Sequence, residues 1–184
     1  MVAWEEALEA FLTEICEDVT WILVGSAATG IHGAEVNPGD VDILAHPETP
    51  DGIMKRAMLR FIEPSFAAPP TDDPETLLSS RPQPLLAVAE GWIFGRTMIE
   101  GCKLEFARIR HDVGPTVLLE TIGSAVWETH ETTTWRGHVI PIVPFEVQLA
   151  TIVSRGLDAA RTRLIERGFD TALLARALTD RGVA

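Results

Sequence analysis

Short apolar segments alternate with small or polar residues in the first quarter of the chain, and this pattern predicts the order of its elements. From Val2 to Glu17 apolar residues recur every three or four positions, as on one face of an amphipathic helix. An apolar strand follows at Trp21 to Val24, and a turn at Gly25-Ser26 then opens a short helix of small residues. After a Pro-Gly loop, a second strand runs from Asp40 to Leu44.

The middle of the chain predicts a helix, a long loop and a hairpin. The helix runs from Asp51 to Phe61 and has Pro50 and Asp51 at its start. Residues 63–84 hold six prolines without an apolar period, which predicts a long loop or lid. The segment Gly101 to Ile109 alternates like a strand, and the apolar run Trp92 to Phe94 with a turn at Glu100-Gly101 predicts a hairpin that ends in it.

The last part of the chain predicts two strands followed by helices. The strands are expected at Val126 to His130 and at Trp135 to Val143, joined by a Thr-rich turn, and Pro144 is expected at the first helical position. Glycines at 156 and 168 are expected as C-caps and aspartates at 158 and 170 as N-caps. The predicted helices are Phe145 to Arg155, Asp158 to Arg167 and Asp170 to Arg181.

This succession of strands and helices predicts an α/β (α+β) fold, in which helices flank a mixed sheet and a helical segment follows. The chain has 184 residues, enough for one domain with its own core and a small appendage. We therefore predict one domain over residues 1–143 and a helical subdomain over residues 144–184 that packs on it.

Two carboxylates share one face of the second predicted strand. Successive side chains of a strand point to opposite faces, so Asp40 and Asp42 lie on one side while Val41 and Ile43 point into a core. Carboxylates held side by side repel one another, and a hard divalent cation is the usual way to offset that repulsion. The alternative is a solvated pair, or a pair that caps a loop or helix.

The Gly25-Ser26 turn adds a second chemical element to this segment. A turn at a helix start offers backbone N–H groups and a hydroxyl to phosphate oxygens. Gly and Ser are also ordinary turn and N-cap residues, so the pair alone is weak evidence. Strand, Gly-Ser, helix, loop and Asp-x-Asp occur in this order within 22 residues, and the conjunction is more specific than its parts.

A third acid stands on the later hairpin strand. Leu104 and Phe106 occupy one face of this strand, and Lys103 and Glu105 occupy the other. A glutamate among apolar neighbours is costly unless it is exposed, paired or bound to metal. The alternatives to a metal ligand are a solvated face or an ion pair with Lys103 or Arg108.

Together these residues resemble the minimal nucleotidyltransferase domain of the DNA polymerase beta superfamily. Gly25-Ser26 matches its first element, Asp40 and Asp42 match its Asp-x-Asp, and Glu105 matches its third acid on another strand. The resemblance covers about residues 20 to 110 and includes small bacterial members such as the antibiotic and toxin–antitoxin nucleotidyltransferases. One departure is that basic residues able to grip a triphosphate are scarce near the motif.

The resemblance implies an enzyme that moves a nucleoside monophosphate from an NTP to a hydroxyl and releases pyrophosphate. Asp40 and Asp42 would hold one or two Mg²⁺ ions. Glu105 would complete a second metal site or act as base toward the hydroxyl. Ser26 and the amides after Gly25 would orient the β- and γ-phosphates.

The implied acceptor is a small molecule, a protein hydroxyl or a tRNA end, and a partner protein is possible on the same fold. Two other readings stay open. One is a nucleotide-binding or toxin–antitoxin-type interaction protein without catalysis, and the other is a structural protein whose Asp-x-Asp only caps a loop.

The net charge of the chain limits the classes of molecule that it is expected to bind. The formal net charge is −12 at pH 7, and residues 1–149 hold 9 basic against 23 acidic residues. Such an acidic body repels a nucleic-acid backbone, so broad nonspecific nucleic-acid binding is not expected. The basic residues considered for local phosphate contacts, each with a solvated surface charge as the alternative, are Lys55, Arg56, Arg60, Arg81, Arg155, Arg161, Arg163 and Arg167.

The remaining composition predicts a cytoplasmic protein. No apolar run is long enough to span a membrane, and the first residues include Glu5 and Glu6 rather than a basic signal. Cys16 and Cys102 have no ligand spacing and are expected to be reduced. The five histidines are scattered, so no zinc site is expected.

Overall fold

The described part of the chain forms six α-helices and seven strands. The computed structural model describes residues 3–15, 18–34, 36–68, 84–110, 124–156 and 168–181. The predicted fold class, a mixed sheet with flanking helices, is confirmed. In chain order the elements are α1 (Ala3–Glu14), β1 (Trp21–Val24), α2 (Gly25–Ile31), β2 (Asp40–Ala45), α3 (Asp51–Met58), a 3₁₀ turn (Pro64–Phe66), β3 (Leu85–Ala89), β4 (Trp92–Ile99), β5 (Cys102–Ile109), α4 (Ser124–Glu128), β6 (Glu131–Trp135), β7 (His138–Ile142), α5 (Phe145–Ser154) and α6 (Thr171–Asp180).

The chain divides into two compact units. The first comprises Met1–Trp21 and Gly39–Leu119, and the second comprises Ile22–Pro38 and Glu120–Ala184. The domain boundary predicted after residue 143 stays a prediction. In the described residues, no helix has the length and apolar character needed to cross a membrane.

Four strands of the first unit pair in the order β3-β4-β5-β2. The pairs β3–β4 and β4–β5 are antiparallel, whereas β5 and β2 are parallel. The predicted hairpin is confirmed, and its turn at Glu100 and Gly101 has φ of 48° and 79°. Two positive φ angles in a two-residue loop are typical of the turn that matches the twist of a β-hairpin.

A large part of the core of the first unit lies on the face of this sheet where α1 packs, and a smaller apolar cluster of Leu85, Ala87, Trp92 and Phe94 is also buried. The Phe11 ring lies edge-on to Trp21 and to Phe106, with ring centroids 5.0 and 5.5 Å away, and stacks on Phe61 at 5.5 Å. Val41 and Phe106, from neighbouring strands, are both buried. The confirmed alternation of β2 and β5 therefore leaves their acidic residues on the opposite face.

The second unit contains strands in the order β1-β7-β6. Leu23 of β1 pairs in parallel with Ile142 of β7, and β7 pairs antiparallel with β6. An apolar cluster of Phe145, Leu149 and Ile152 forms one face of α5 and packs with residues that include Leu174 of α6. The predicted N-cap of α6 is confirmed, since the Asp170 carboxylate accepts from the amides of Ala172 and Leu173.

Several predicted elements of the second unit are wrong. The strand expected at Val126 to His130 is the helix α4, because the Asp180 carboxylate of α6 accepts from the amide of Ala125. The Thr-rich turn is instead strand β6, and the actual turn is Arg136 and Gly137. Pro144 is the N-cap of α5 rather than its first helical residue.

Some boundaries elsewhere in the chain also differ. The α3 helix ends at Met58 and continues as turns, short of the predicted Phe61. Strand β3 was not predicted. The helix α2 begins at Gly25 itself, so Gly25-Ser26 is the first part of the helix rather than a separate turn. The helix expected at residues 158–167 and most of the Pro-rich loop lie outside the described residues.

We expect Gly95→Ala to destabilise the protein by about 1–3 kcal/mol, the usual cost of overfilling a packed core. A Cβ at this β4 position would stand 2.6 Å from Ile62 Cδ1 and 3.1 Å from Met58 Sδ. Both neighbours are buried and have little room to move. Urea unfolding measures the change in the free energy of unfolding.

Gly52→Ala is the matched control. A Cβ at Gly52 meets no atom within 4 Å, and Gly52 lies in α3. Alanine there should raise the free energy of unfolding by about 0.5–1 kcal/mol, because glycine is a poor helix former. Two changes of the same sign and size would contradict this account of Gly95.

Candidate functional site

The predicted acids of β2 and β5 meet on one face of the first unit. In the parallel pairing, Asp40 is in register with Lys103 and Asp42 with Glu105. Neighbouring strands lie about 4.8 Å apart, so side chains at paired positions are direct neighbours. Each of these four residues is partly buried, and its neighbours within the strand are buried. The pairing therefore brings all three predicted acids together.

Lys103 bridges two of these acids. Its Nζ lies 2.8 Å from Asp40 Oδ2 and 3.2 Å from Glu105 Oε1. Burial lowers the pKa of Lys103, but its hydrogen bond to Asp40 and the charges of Glu105 and Asp40 outweigh burial, so the net shift raises this pKa. The ammonium is therefore charged at neutral pH. The ion pair with Lys103 that the sequence left open for Glu105 is present.

Arg96 is a second cation at this site. Its Nε donates to Glu105 Oε1 at 2.7 Å, and its guanidinium carbon lies 5.1 Å from the centre of the Phe94 ring. Arg96 and Glu105 side chains are 15% and 17% exposed, so solvent and salt screen this pair less than a surface ion pair.

Arg96 was not predicted from the sequence, although the hairpin contains the signal. With a two-residue turn at Glu100 and Gly101, residues at equal distances from the turn face one another, and Arg96 pairs with Glu105. Basic residues that are scarce along the chain near Asp40 are thus supplied by the neighbouring strands.

The resemblance implies a divalent cation at these acids. Their chemistry suits such an ion, because carboxylate oxygens are the ligands that Mg²⁺ prefers. Across the described ranges, however, no group of three or more His, Cys, Asp or Glu side chains is arranged to hold a metal ion. Glu105 Oε1 instead contacts both Lys103 and Arg96. Asp40 and Asp42 are therefore the residues that fit a metal by chemistry and by position.

Arg108, the other partner considered for Glu105, lies elsewhere, and that alternative is wrong. Arg108 is fully buried, and it donates to the Thr49 carbonyl at 3.1 Å and to Asp51 Oδ1 at 2.7 Å. Residues 105 and 108 occupy opposite faces of β5, because an odd separation along a strand changes the face. The Arg108 guanidinium therefore belongs to the core side of the sheet.

Cys102 borders the acids at the start of β5. It is a buried free thiol, and its Sγ lies 3.7 Å from the Gly39 carbonyl oxygen. Burial, followed by the negative charges of Asp40 and Asp42, raises the pKa of this thiol. The thiol is therefore neutral at physiological pH and a poor nucleophile. Cys16 lies outside the described residues.

Gly25 and Ser26, the predicted phosphate contacts, belong to the second unit. Gly25 has φ of 70°, a conformation that favours glycine. Its carbonyl accepts from Gln148 Nε2 at 2.7 Å and from Thr29 Oγ1 at 3.1 Å. These two side chains hold the first backbone carbonyl of α2 in place.

Gln148 is a second residue that the sequence analysis missed. It is 3% exposed, and its Oε1 accepts no hydrogen bond from any described group. The signal in the sequence is an amide side chain within the apolar run Val147 to Ala150. Buried polar side chains normally have a specific partner, and here the partner is the Gly25 carbonyl.

The other basic residues considered for phosphate contacts differ in their surroundings. Arg60 donates to the Glu14 carbonyl at 2.9 Å, so a structural contact occupies it. Lys55 and Arg56 lie in the last turn of α3. Arg155 is the C-cap of α5. The candidates outside the described residues are Arg81, Arg161, Arg163 and Arg167.

Comparisons with known proteins support the fold. No protein-family model matches the chain, and no curated protein matches it significantly. Among solved structures, it is similar to a crystal structure described as "a putative nucleotidyltransferase" from Thermotoga maritima, with a TM-score of 0.50 and 19% identity. The match covers 86% of this chain and 89% of that one. At this identity the likeness establishes a nucleotidyltransferase-like fold.

We expect NMR titration of isotope-labelled lysine to place the Lys103 pKa above the ordinary lysine value, with Asp40→Asn lowering it. A pKa raised by folding means that the ion pair stabilises the protein at neutral pH, and that this stabilisation is lost as pH rises through the folded-state pKa. Asp18→Asn, at an exposed position, is the matched control and should leave the Lys103 pKa unchanged. A Lys103 pKa that is insensitive to Asp40 would contradict the described ion pair.

Proposed function

We propose that this protein is a metal-dependent nucleotidyltransferase that moves a nucleoside monophosphate from an NTP to an acceptor hydroxyl. One observation carries the proposal: Asp40, Asp42 and Glu105 share one face of two paired strands within a nucleotidyltransferase-like fold. An isolated Asp-x-Asp that capped a loop would not need a third acid in register beside it.

The acids divide the work in this proposal. Asp40 and Asp42 hold a divalent cation such as Mg²⁺, which when bound neutralises phosphate charge and polarises the phosphoryl group. Glu105 orients Lys103 and Arg96, since its Oε1 contacts both cations. We therefore assign Glu105 a positioning role rather than the role of base.

The proposed reaction balances as a displacement at the α-phosphorus. A bond forms between the acceptor oxygen and the α-phosphorus, and the bond from that phosphorus to the oxygen bridging the β-phosphate breaks. Pyrophosphate leaves with the electron pair, and the acceptor proton passes to water. Arg96 and Lys103 contribute positive charge that favours the phosphates and the charge developing on them.

The net charge of the protein bears on the class of acceptor. We propose a hydroxyl of a small molecule, a protein or a tRNA end, because the net charge of −12 disfavours long nucleic-acid substrates. Gly25 and Ser26 stay the proposed contacts to the β- and γ-phosphates, with Gln148 holding the Gly25 backbone.

A second candidate function is favoured by the same ion pairs. Lys103 and Arg96 already neutralise Asp40 and Glu105, which suits a protein that binds a nucleotide or a partner protein, as in a toxin–antitoxin pair, without catalysis. The two candidates differ in one measurable property. Nucleotide binding without pyrophosphate release supports the non-catalytic protein.

Asp40→Asn and Asp42→Asn should each lower the rate of Mg²⁺-dependent pyrophosphate release by at least about 100-fold, the scale of losing a group that stabilises the transition state. Asparagine keeps the shape of the side chain and removes the charge. A pyrophosphate assay with each of the four NTPs measures the rate, and circular dichroism checks the fold.

Asp18→Asn is the matched control, because it removes the same charge at an exposed position and should leave the rate unchanged. Full activity in both the Asp40 and the Asp42 variants would overturn the proposed catalytic site.

Gly25→Ala should weaken Mg-NTP binding by at least about 10-fold, because a side chain blocks close approach of a phosphate to the backbone. Gly33→Ala is the control: Gly33 also has a positive φ, of 89°, and a Cβ there meets no atom within 4 Å. Each variant should lose about 1 kcal/mol of stability through backbone strain. Calorimetry that finds equal nucleotide affinity in the two variants would contradict a phosphate contact at Gly25.

A further inference from the structure

We infer that Lys103 is a built-in cation that competes with a divalent metal ion for Asp40. The inference deepens the proposed function and rests on it. It assigns Lys103 to the control of metal affinity: the ammonium holds the carboxylates of Asp40 and Glu105 in the metal-free protein, and a metal ion must displace it from Asp40 to bind.

The geometry of one nitrogen and two oxygens carries this inference. Lys103 Nζ contacts Asp40 Oδ2 at 2.8 Å and Glu105 Oε1 at 3.2 Å, and these oxygens come from different strands. Because Lys103 Nζ touches an oxygen of Asp40, the ammonium lies on the carboxylate that a metal ion at this face would use. The contact with Glu105 holds the ammonium there in the absence of such an ion.

Burial makes this competition direct. The side chains of Lys103 and Asp40 are 30% and 28% exposed, and that of Glu105 is 17% exposed, so solvent screens their charges only in part. An ammonium and a divalent cation repel one another at such short range. The two cannot both contact the same Asp40 oxygen at full strength.

The contacts of Arg96 explain why we assign the competition with a metal ion to Lys103 and not to Lys103 and Arg96 together. Arg96 Nε contacts Glu105, and stacking over Phe94 anchors its guanidinium. The lysine side chain is flexible and contacts Asp40. Displacement of Lys103 can therefore leave the Arg96–Glu105 pair intact.

Lysine side chains can be observed individually by NMR in this protein, because Lys55 and Lys103 are its two lysines. Lysine labelled with ¹³C at Cε then gives two side-chain signals, which Lys55→Met assigns. In a Mg²⁺ titration of the unmodified protein without nucleotide, the Lys103 signal should move with saturation while the Lys55 signal stays in place. A Lys103 signal that does not move as Mg²⁺ saturates the protein would overturn the inference.

Variants provide an independent readout in the affinity for Mn²⁺ alone, measured by calorimetry. Lys103→Met should bind Mn²⁺ at least about 10-fold more tightly than the unmodified protein, a shift typical of changing a neighbour of metal ligands. Lys103→Arg, which keeps the charge, should stay near the unmodified affinity. Lys55→Met changes the net charge equally and should also stay near it.

Equal Mn²⁺ affinity in the Lys103→Met and Lys55→Met proteins would overturn the inference, as would the absence of Mn²⁺ binding from every variant. The proposed transferase activity is tested separately, by pyrophosphate release. Tighter Mn²⁺ binding without pyrophosphate release from any NTP would support the role of Lys103 while overturning the transferase.

Discussion

The parallel pairing of β2 with β5 is the constraint on which the candidate site depends. A shift of one residue would turn Asp40 and Asp42 from the polar face into the core. The core prevents that shift, because Val41 and Phe106 are buried on the other face and Phe106 packs against Phe11. The hydrophobic effect that folds this unit therefore also determines which carboxylates become neighbours.

Charge balance is the second requirement of this face. Acids gathered on adjacent strands repel one another, and Lys103 and Arg96 offset that repulsion within the protein itself. These two cations thus allow a face with three acids to lie beside a packed core. The same arrangement makes the chemistry of the face depend on which cation is present, a protein side chain or a metal.

In the second unit, a side chain from a helix distant in sequence holds Gly25 in place at the start of α2. Gln148 reaches the Gly25 carbonyl from 123 residues further along the chain. The α4 helix depends on a similar long-range contact, since Asp180 accepts from the amide of Ala125 across 55 residues. In both places a polar side chain from one helix satisfies a backbone group at the end of another.

The sequence by itself determined the strands that carry the acids. Side chains alternate at residues 40–43 of β2 and 102–107 of β5, and this alternation assigns Asp40, Asp42 and Glu105 to the polar positions whatever those strands pack against. The N-cap at Asp170 could also be predicted from the sequence, because an aspartate before a helix caps it through local hydrogen bonds. Tertiary structure alone decided that Ser124–Glu128 is a helix, because a short apolar run suits either state until Asp180 caps it. It also decided that Lys103, rather than Arg108, neutralises Glu105, because ion pairing follows the face of the strand and the register of its neighbours.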